Sequence, residues 1–181
     1  ATRRGQPHEH AASVARVGAA LDEAAALETV DAVGHRARRD ERLLHELARH
    51  KNFDVVTLQA EDEIAAANVA LGAAFAGNLA VTGTSGPGMD LKAETLGLAV
   101  IMELPMIIVD VQRGGPSTGI PTKPEQSDLF QAAFSAHGDV LRPVLAPTSV
   151  EDTFRVTVEA FNLAERYQTP VVILSDQEIA Q

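Results

Sequence analysis

Cysteine is absent from this 181-residue sequence. The chain can therefore form no disulfide, no cysteine-ligated zinc site and no iron–sulfur cluster of its own. Any electron transfer in which it takes part must be completed by groups outside it. Long apolar runs are also lacking, since runs such as Met106–Val109 and Val171–Leu174 fall far short of the ~20 residues that span a bilayer. With no signal-type apolar stretch, we expect a cytoplasmic protein that does not interact with membranes.

Acidic residues outnumber basic ones, with 25 Asp and Glu against 15 Lys and Arg and a net charge of −10. The excess falls after residue 50, because residues 1–50 carry eight of each sign while residues 51–181 carry seventeen acids and seven bases. An acidic body repels nucleic-acid phosphates, so we expect no nucleic-acid partner. An apolar content of 45% suits one globular domain or a large part of a protein.

Residues 1–42 differ in composition from the rest of the chain. This segment is rich in Ala, Arg and Glu and contains no Ile, Phe, Tyr, Met, Lys or Asn. Ala11–Leu27 favours a helix by propensity, although a stripe made mostly of alanine buries little surface. We therefore divide the chain into a divergent amino-terminal segment, 1–42, and a folded module, 43–181.

The module alternates short β-rich runs with longer segments of helical period, which predicts an α/β fold: a parallel sheet with helices on both faces. The predicted strands are Val55–Leu58, Leu79–Thr82, Met106–Val111, Val140–Leu145 and Pro170–Leu174. The predicted helices are Asp62–Ala76, Leu91–Met102, Gln126–Ala136 and Val150–Tyr167. Ligands of such sheets bind at the carboxyl ends of the strands, so residues just after each strand are the candidates for function.

Three acids follow the first predicted strand. Asp62 and Glu63 fit the first turn of a helix, where a negative charge is favoured. Glu61 lies nearer the strand end, where a carboxylate can be partly buried and meet a ligand nitrogen. From position alone, Glu61 is either such a group or another charge at the helix end.

The second and third strands are followed by a glycine-dense turn, Thr82–Gly88, and a long loop with two cations, Gln112–Lys123. The turn has neither the dinucleotide-binding nor the phosphate-loop spacing, so it is equally consistent with a purely structural turn. Arg113 has the rigid fork suited to a carboxylate ligand, but a salt bridge to a neighbouring acid is equally plausible. The loop also offers hydroxyl groups to a small polar ligand, although such residues also fill ordinary turns. These are Ser117, Thr118 and Thr122.

Five motifs in order resemble the alpha subunit of 2-oxoacid:ferredoxin oxidoreductases, particularly the 2-oxoglutarate type. They are Gln59–Ala66, Thr84–Gly88, Val111–Gly119, Pro121–Leu129 and Pro170–Asp176. The resemblance runs from about Leu43 to Gln181 and implies the module that binds the pyrimidine half of thiamine diphosphate.

The resemblance also implies residue roles. Glu61 matches the glutamate that hydrogen-bonds N1′ of the aminopyrimidine, which makes it both the catalytic and a cofactor-binding residue. The turn implied to lie beside the cofactor is Thr84, Ser85, Gly86, Pro87 and Gly88. Arg113 would pair with the carboxylate of the 2-oxo acid. Ser117, Thr118 and Thr122 would lie in the same pocket.

A separate beta subunit is implied as the partner. In the family it binds the diphosphate with Mg²⁺ and carries or leads to the iron–sulfur cluster, so no metal site is expected on this chain. The 2-oxo acid and coenzyme A are the implied substrates, and ferredoxin receives electrons through the complex. The chain alone would be inactive.

The match fails in residues 1–42, where the family has a strand followed by a Gly-Tyr-Pro-Ile-Thr-Pro turn. Both are expected to be missing here, which is consistent with a shifted reading frame of a GC-rich gene or with a different helical extension. Loss of that turn leaves a second functional interpretation open, a non-catalytic fragment of the same fold that only binds a partner. Pyruvate and branched-chain 2-oxo acids are equally open as substrates.

Overall fold

The computed structural model describes residues 31–32 and 55–180. Six strands lie in this part of the chain: β1 (Asp31–Ala32), β2 (Gln59–Ala60), β3 (Val81–Thr84), β4 (Met106–Gln112), β5 (Val144–Leu145) and β6 (Pro170–Asp176). The four helices of the same part are α1 (Glu63–Phe75), α2 (Gly86–Ile101), α3 (Leu129–Phe134) and α4 (Val150–Tyr167).

The main sheet is parallel throughout, in the order β3-β4-β6-β5. Its two central strands are β4 and β6, which pair from Met106 opposite Pro170 to Gln112 opposite Asp176. β1 and β2 form a separate two-stranded parallel pair. The carboxyl ends of β3, β4 and β6 therefore meet at one edge, as the alternating pattern predicts.

Apolar side chains cover both faces of the sheet. One face carries Ile108 and Val172 of the strands and is covered by α1, α2 and α3. The opposite face carries Ile107 and Val171 and is covered by α4, through residues such as Phe161. Successive strand residues point to opposite faces, so the continuous apolar runs are explained by a sheet buried on both sides. The predicted fold class is confirmed.

Several predicted strand boundaries are wrong. The run Val55–Leu58 is not a strand; the pairing that the structure describes is confined to Gln59–Ala60 of β2, and Val56 is 73% exposed. β3 begins two residues later than predicted, where Val81 pairs with Ile107. β5 keeps only the last two residues of its prediction. Pro143, just before it, has no N–H to donate to a ladder.

The helices differ mainly at their starts. α4 matches its prediction at both ends, with Ser149 accepting a hydrogen bond from the Asp152 N–H at 3.1 Å. α2 begins at Gly86 rather than Leu91, because Pro87 falls in the first turn, where its missing N–H costs no bond. α3 is shorter than predicted, since residues 124–128 are held outside the helix by side-chain bonds described below.

A short strand is present in the segment where the family's first strand was expected to be missing. Asp31–Ala32 pairs in parallel with Gln59–Ala60, so that expectation needs correction to this extent. The predicted helix Ala11–Leu27 and the proposed boundary at residue 42 lie outside the described residues. Within the described part, no helix is both long and apolar enough to cross a membrane.

Candidate active site

The junction between β2 and α1 carries Glu61 in an exposed position. Its carboxylate has no hydrogen-bond or ion-pair partner among residues 55–180, so the partial burial considered from the sequence is not formed by the described chain. Asp62 is the N-cap of α1, with its Oδ1 accepting from the Ala65 N–H at 2.7 Å, and Glu63 begins the helix. The helix-end interpretation is therefore confirmed for Asp62 and Glu63, while Glu61 is left available to a ligand.

The glycine-dense turn is the end of a strand and the first turn of a helix. Thr84 closes β3, and its hydroxyl donates to the Ser85 carbonyl at 3.2 Å. Ser85 is the extended N-cap of α2, and its carbonyl accepts from the Met89 N–H at 2.9 Å. The Ser85 side chain does not cap this helix, so it leaves the first N–H groups without a capping bond. These groups lie at the carboxyl edge of the sheet, because α2 begins directly after β3.

Side chains of this chain pack closely against two glycines of this turn, in the space that a Cβ would occupy. A Cβ on Gly86 would lie 2.6 Å from Oδ2 of Asp128. A Cβ on Gly88 would lie 2.1 Å from the Thr84 hydroxyl and 2.8 Å from Cγ of Glu63. The close approach expected from these glycines is thus used, within this chain, to join the turn to the starts of α1 and α3.

A buried acid that the sequence analysis missed lies under this turn. Asp110 of β4 is fully buried, and neither carboxylate oxygen has a hydrogen-bond partner. Burial, followed by the charges of Asp128 and Asp90, raises its pKa to about 8. The pKa of Asp128 is also raised, first by burial and then by Asp90 and Glu125. Asp110 therefore holds a proton at neutral pH. The available signal was a charge inside an otherwise apolar strand.

Arg113 follows β4 and is partly buried. Its Nη2 donates to the Thr118 carbonyl at 3.1 Å, whereas Nε is buried without an acceptor. Among residues 55–180, the ion pair within 4.0 Å joins Arg155 and Glu151, so Arg113 is not paired with an acid of this region. Of the two interpretations open from the sequence, the salt bridge is not formed with residues 55–180, and the buried Nε–H has no acceptor there.

The loop after Arg113 is closed by backbone hydrogen bonds. Gly114 donates to the Lys123 carbonyl at 2.9 Å and accepts from the Ile120 N–H at 2.8 Å. The three hydroxyl residues of the prediction are exposed, and their hydroxyls have no hydrogen-bond partner among residues 55–180. These are Ser117, Thr118 and Thr122. The loop therefore presents hydroxyls and two cations, Arg113 and Lys123, from a backbone frame closed by its own hydrogen bonds.

Side-chain amides attach this loop to the neighbouring strand. Gln112 donates to the Ser175 carbonyl at 3.1 Å and accepts from the Asp128 N–H at 3.1 Å. Gln126 donates to Asp176 at 2.6 Å. Hydrogen bonds from the Ile179 N–H, from the Gln126 side chain and from the Glu178 N–H lower the pKa of Asp176 despite its burial. These residues lie within the motifs that carry the resemblance, but the sequence assigned no role to them, because amides within polar runs are common in ordinary loops.

The three candidate segments follow β2, β3 and β4 and are linked by contacts. Glu63 lies against Gly88 between the first two, and Asp128 lies against Gly86 and Gln112 between the second and third. A shallow apolar hollow lined by Leu79 lies at the amino ends of the strands, away from these residues. Within the described residues, no group of three or more His, Cys, Asp or Glu side chains is arranged to hold a metal ion.

The fold is shared with two solved enzymes. Benzoylformate decarboxylase from Polynucleobacter necessarius matches with a TM-score of 0.61 at 17% identity, over 90% of this chain and 29% of that one. A 2-oxoglutarate:ferredoxin oxidoreductase from Magnetococcus marinus, solved with 2-oxoglutarate, coenzyme A and succinyl-CoA bound, matches with a TM-score of 0.79 at 45% identity, over 92% of this chain and 28% of that one. Together with the family model that matches residues 41–181, this match identifies a thiamine diphosphate-binding α/β module.

The chain belongs to the pyruvate flavodoxin/ferredoxin oxidoreductase, thiamine diphosphate-binding family, which matches residues 41–181. The 2-oxoglutarate oxidoreductase subunit KorA of Mycobacterium tuberculosis is 58% identical over 138 residues, covering 76% of this chain and 21% of that subunit. The 2-oxoglutarate synthase subunit KorA of Archaeoglobus fulgidus is 52% identical over 125 residues, covering 69% of this chain and 36% of that subunit. The chain thus spans only part of the length of these relatives.

Proposed function

We propose that this chain is the pyrimidine-binding part of the alpha subunit of a thiamine diphosphate-dependent 2-oxoacid:ferredoxin oxidoreductase. The complete complex converts 2-oxoglutarate or a related 2-oxo acid and coenzyme A to acyl-CoA and carbon dioxide, passing two electrons to ferredoxin. The observation that carries the proposal is Glu61, a charged group at the strand edge that is exposed and has no partner in residues 55–180. Relatives such as the 58% identical KorA subunit supply the reaction class.

The residues at this edge fit the cofactor. Glu61 has both oxygens available to accept a hydrogen bond from the protonated N1′ of the aminopyrimidine, and its exposure leaves room for a ring beside it. A carboxylate there stabilises the protonated ring nitrogen and so favours loss of a proton from the 4′ amino group. Thr84, Ser85, Gly86, Pro87 and Gly88 form the adjoining wall. When bound, thiamine diphosphate supplies the thiazolium carbon that adds to the keto group and the electron sink for decarboxylation.

Arg113 is the proposed partner of the substrate carboxylate. Its buried Nε lacks an acceptor, and Nη2 is already fixed by the Thr118 carbonyl, so the guanidinium is held in one orientation before a ligand arrives. A preorganised fork loses less conformational freedom on binding and recognises a carboxylate by two parallel hydrogen bonds. The exposed hydroxyls of Ser117, Thr118 and Thr122 would complete the polar lining. Arg113 would thus bind the carboxylate, which is the group that all 2-oxo acids share.

A beta subunit is the proposed partner, and it would bind the diphosphate with Mg²⁺ and provide the iron–sulfur centre. Support comes from the absence of cysteine and from an apolar surface on α3, where Phe130 and Phe134 are 76% and 70% exposed with ring centroids 6.1 Å apart. Exposed aromatic pairs of this kind mark protein contacts. A cytoplasmic location stays a prediction.

The test is cofactor binding by the complex of this chain with a beta subunit from the same source. Calorimetry with thiamine diphosphate and Mg²⁺ is performed on the wild type and on Glu61→Gln, which keeps the size of the side chain and removes its charge. We expect binding to weaken about tenfold or more and turnover of 2-oxoglutarate to fall about 100-fold or more in the variant. Glu94→Gln, an exposed acid on α2, is the matched control.

Two results would refute the proposal. Equal cofactor affinity and turnover in Glu61→Gln and the wild type would remove Glu61 from the site. A complex that assembles but binds no cofactor would favour the non-catalytic partner-binding fragment, the alternative raised by the altered residues 1–42.

A further inference from the structure

A lysine is buried beneath the proposed cofactor residue. Lys92 lies on α2 among the buried positions Gly88, Leu96 and Ala99, and its side chain is fully enclosed, at 0% exposure. These positions are spaced three or four apart, as on one face of a helix. An apolar residue is the usual occupant of such a position, because burying an ammonium group removes its hydration.

The ammonium group of Lys92 connects three elements. Its Nζ donates to the carbonyl of Glu63 at 3.2 Å and to the hydroxyl of Thr82 at 3.1 Å. Thr82 is itself fully buried in β3, and Glu63 is the first residue of α1. One side chain of α2 thus fastens the start of α1 to the edge strand of the main sheet.

The contact lies directly after Glu61. One residue, Asp62, separates Glu63 with its bonded carbonyl from Glu61, and the side chain of Asp62 caps the same helix. The Glu63 side chain also lies against Gly88, so the start of α1 meets α2 at a second point. β2 adds little restraint before Glu61, because its ladder is only two residues long. The position of Glu61 therefore depends on the attachment at Glu63.

We propose that Lys92 is a positioning residue for Glu61, with Thr82 as its support. The proposal rests on the proposed function, in which Glu61 meets the cofactor. Lys92 itself touches neither cofactor nor substrate; it fixes the carbonyl at the helix start, and that fixes where the carboxylate stands. A side chain without donors would remove the bond that joins the Glu63 carbonyl to α2 and to Thr82, and would let the junction shift.

The test compares Lys92→Met, which keeps the length of the side chain and removes its donors, with the wild-type complex containing the beta subunit. We expect hydrogen exchange at the amides of residues 61–65 to quicken about tenfold or more without cofactor. With saturating cofactor, kcat should fall about 10- to 100-fold, because small misplacement of a catalytic group is costly, while KM for 2-oxoglutarate changes less than about twofold. Arg155→Met, on the exposed face of α4, is the control.

A second variant guards against misfolding of the first. Thr82→Val removes one acceptor of Lys92 but retains an isosteric side chain, and we expect the same changes at smaller size. Thr82→Ser, which restores the hydroxyl, should return both exchange and kcat toward wild type. Circular dichroism of the bound aminopyrimidine should change in Lys92→Met in the direction seen in Glu61→Gln.

The outcomes separate this inference from the proposed function. Wild-type exchange at residues 61–65 and wild-type kcat in both Lys92→Met and Thr82→Val would overturn the positioning role. The positioning role would also be overturned if kcat and KM changed by the same factor and the only accompanying change was a lower melting temperature. If Glu61→Gln has no effect on cofactor binding, the proposed function fails, yet the exchange measurement still decides whether Lys92 holds the junction.

Discussion

The carboxylate of Asp128 occupies the space where a side chain of Gly86 would begin. A Cβ there would lie 2.6 Å from Oδ2 and 2.9 Å from Oδ1, well inside van der Waals contact. The segment before α3 therefore packs directly on the first turn of α2. This contact brings the loop that carries Arg113 to the turn that follows β3.

Gly86→Ala is predicted to destabilise the chain by about 1–3 kcal/mol, because the new methyl group must displace Asp128. Urea unfolding measures the change. Gly97→Ala is the matched control in the same helix, since a Cβ there meets nothing within 4 Å. Replacing that mid-helix glycine should instead stabilise the fold by about 0.5–1 kcal/mol. Equal effects at both positions would contradict the packing described for Gly86.

Asp110→Asn is predicted to stabilise the chain at high pH. The pKa of Asp110 is about 8 in the folded chain against an ordinary value of 3.8, so the folded state retains a proton that the unfolded state has lost. Stability contributed by this group is therefore greatest below pH 4 and declines as the pH rises toward 8. Removing the carboxylate should raise the free energy of unfolding by about 2 kcal/mol or more at pH 9.

The corresponding measurement is urea unfolding of the wild type and Asp110→Asn from pH 5 to pH 9. The two curves should diverge as the pH rises, with a smaller residual slope from Asp128, whose pKa is raised in the same direction. Asp139→Asn, in an exposed turn, should keep the wild-type slope. Parallel curves for wild type and Asp110→Asn would show that Asp110 is ionised when folded.

Arg142→Met is predicted to cost about 2–4 kcal/mol of stability. Its guanidinium is buried and donates to the carbonyls of Ala132 at 2.6 Å and of Gln131 and Ser135 at 3.3 Å, at the end of α3. Removal leaves these carbonyls without their charged donor. Arg155→Met, which breaks an exposed pair with Glu151, should cost at most about 0.5 kcal/mol. Thermal unfolding of the two variants distinguishes a helix cap from a surface charge.

Arg113→Lys is predicted to impair substrate binding more than cofactor binding. In the complex with the beta subunit, we expect KM for 2-oxoglutarate to rise about tenfold or more, since a lysine retains the charge but not the bidentate fork. The dissociation constant of thiamine diphosphate should stay within about twofold of wild type. Steady-state kinetics and calorimetry provide the two values. A wild-type KM would exclude Arg113 as the carboxylate partner, and Arg155→Lys serves as the control.

The periodic part of the sequence predicts the fold well where local and tertiary preferences agree. α4 has a capping serine and a clear amphipathic pattern, and both of its ends are predicted correctly. The sequence fails at Val55–Leu58, because β-propensity does not reveal that the described pairing is confined to Gln59–Ala60. It also fails at the start of α2, where glycine and proline suggest a loop but are tolerated in a first helical turn.

The residues of the candidate site likewise fall into those that the sequence reveals and those that it hides. Glu61, Arg113 and the Thr84–Gly88 turn follow strands, so the topology makes them visible in the sequence. Asp110 is hidden within an apolar run, and Lys92 lies between Asp90 and Glu94 like an ordinary surface charge of a helix, so the importance of both depends on three-dimensional neighbours. A charged residue at a buried position of an otherwise regular pattern is the available sign, since such a group is tolerated only with partners or an altered protonation state.

The two hydrogen bonds of the Gln112 side chain limit how the loop after β4 can move. Its side chain is anchored in the interior on one side by Ser175 and on the other by Asp128, so both stems of the loop from Arg113 to Gln126 are tied to the central strands. Opening of this loop must then pivot on its own backbone between Gly114 and Lys123, leaving the strands in place. A displacement of the loop tip therefore does not require the central strands to separate.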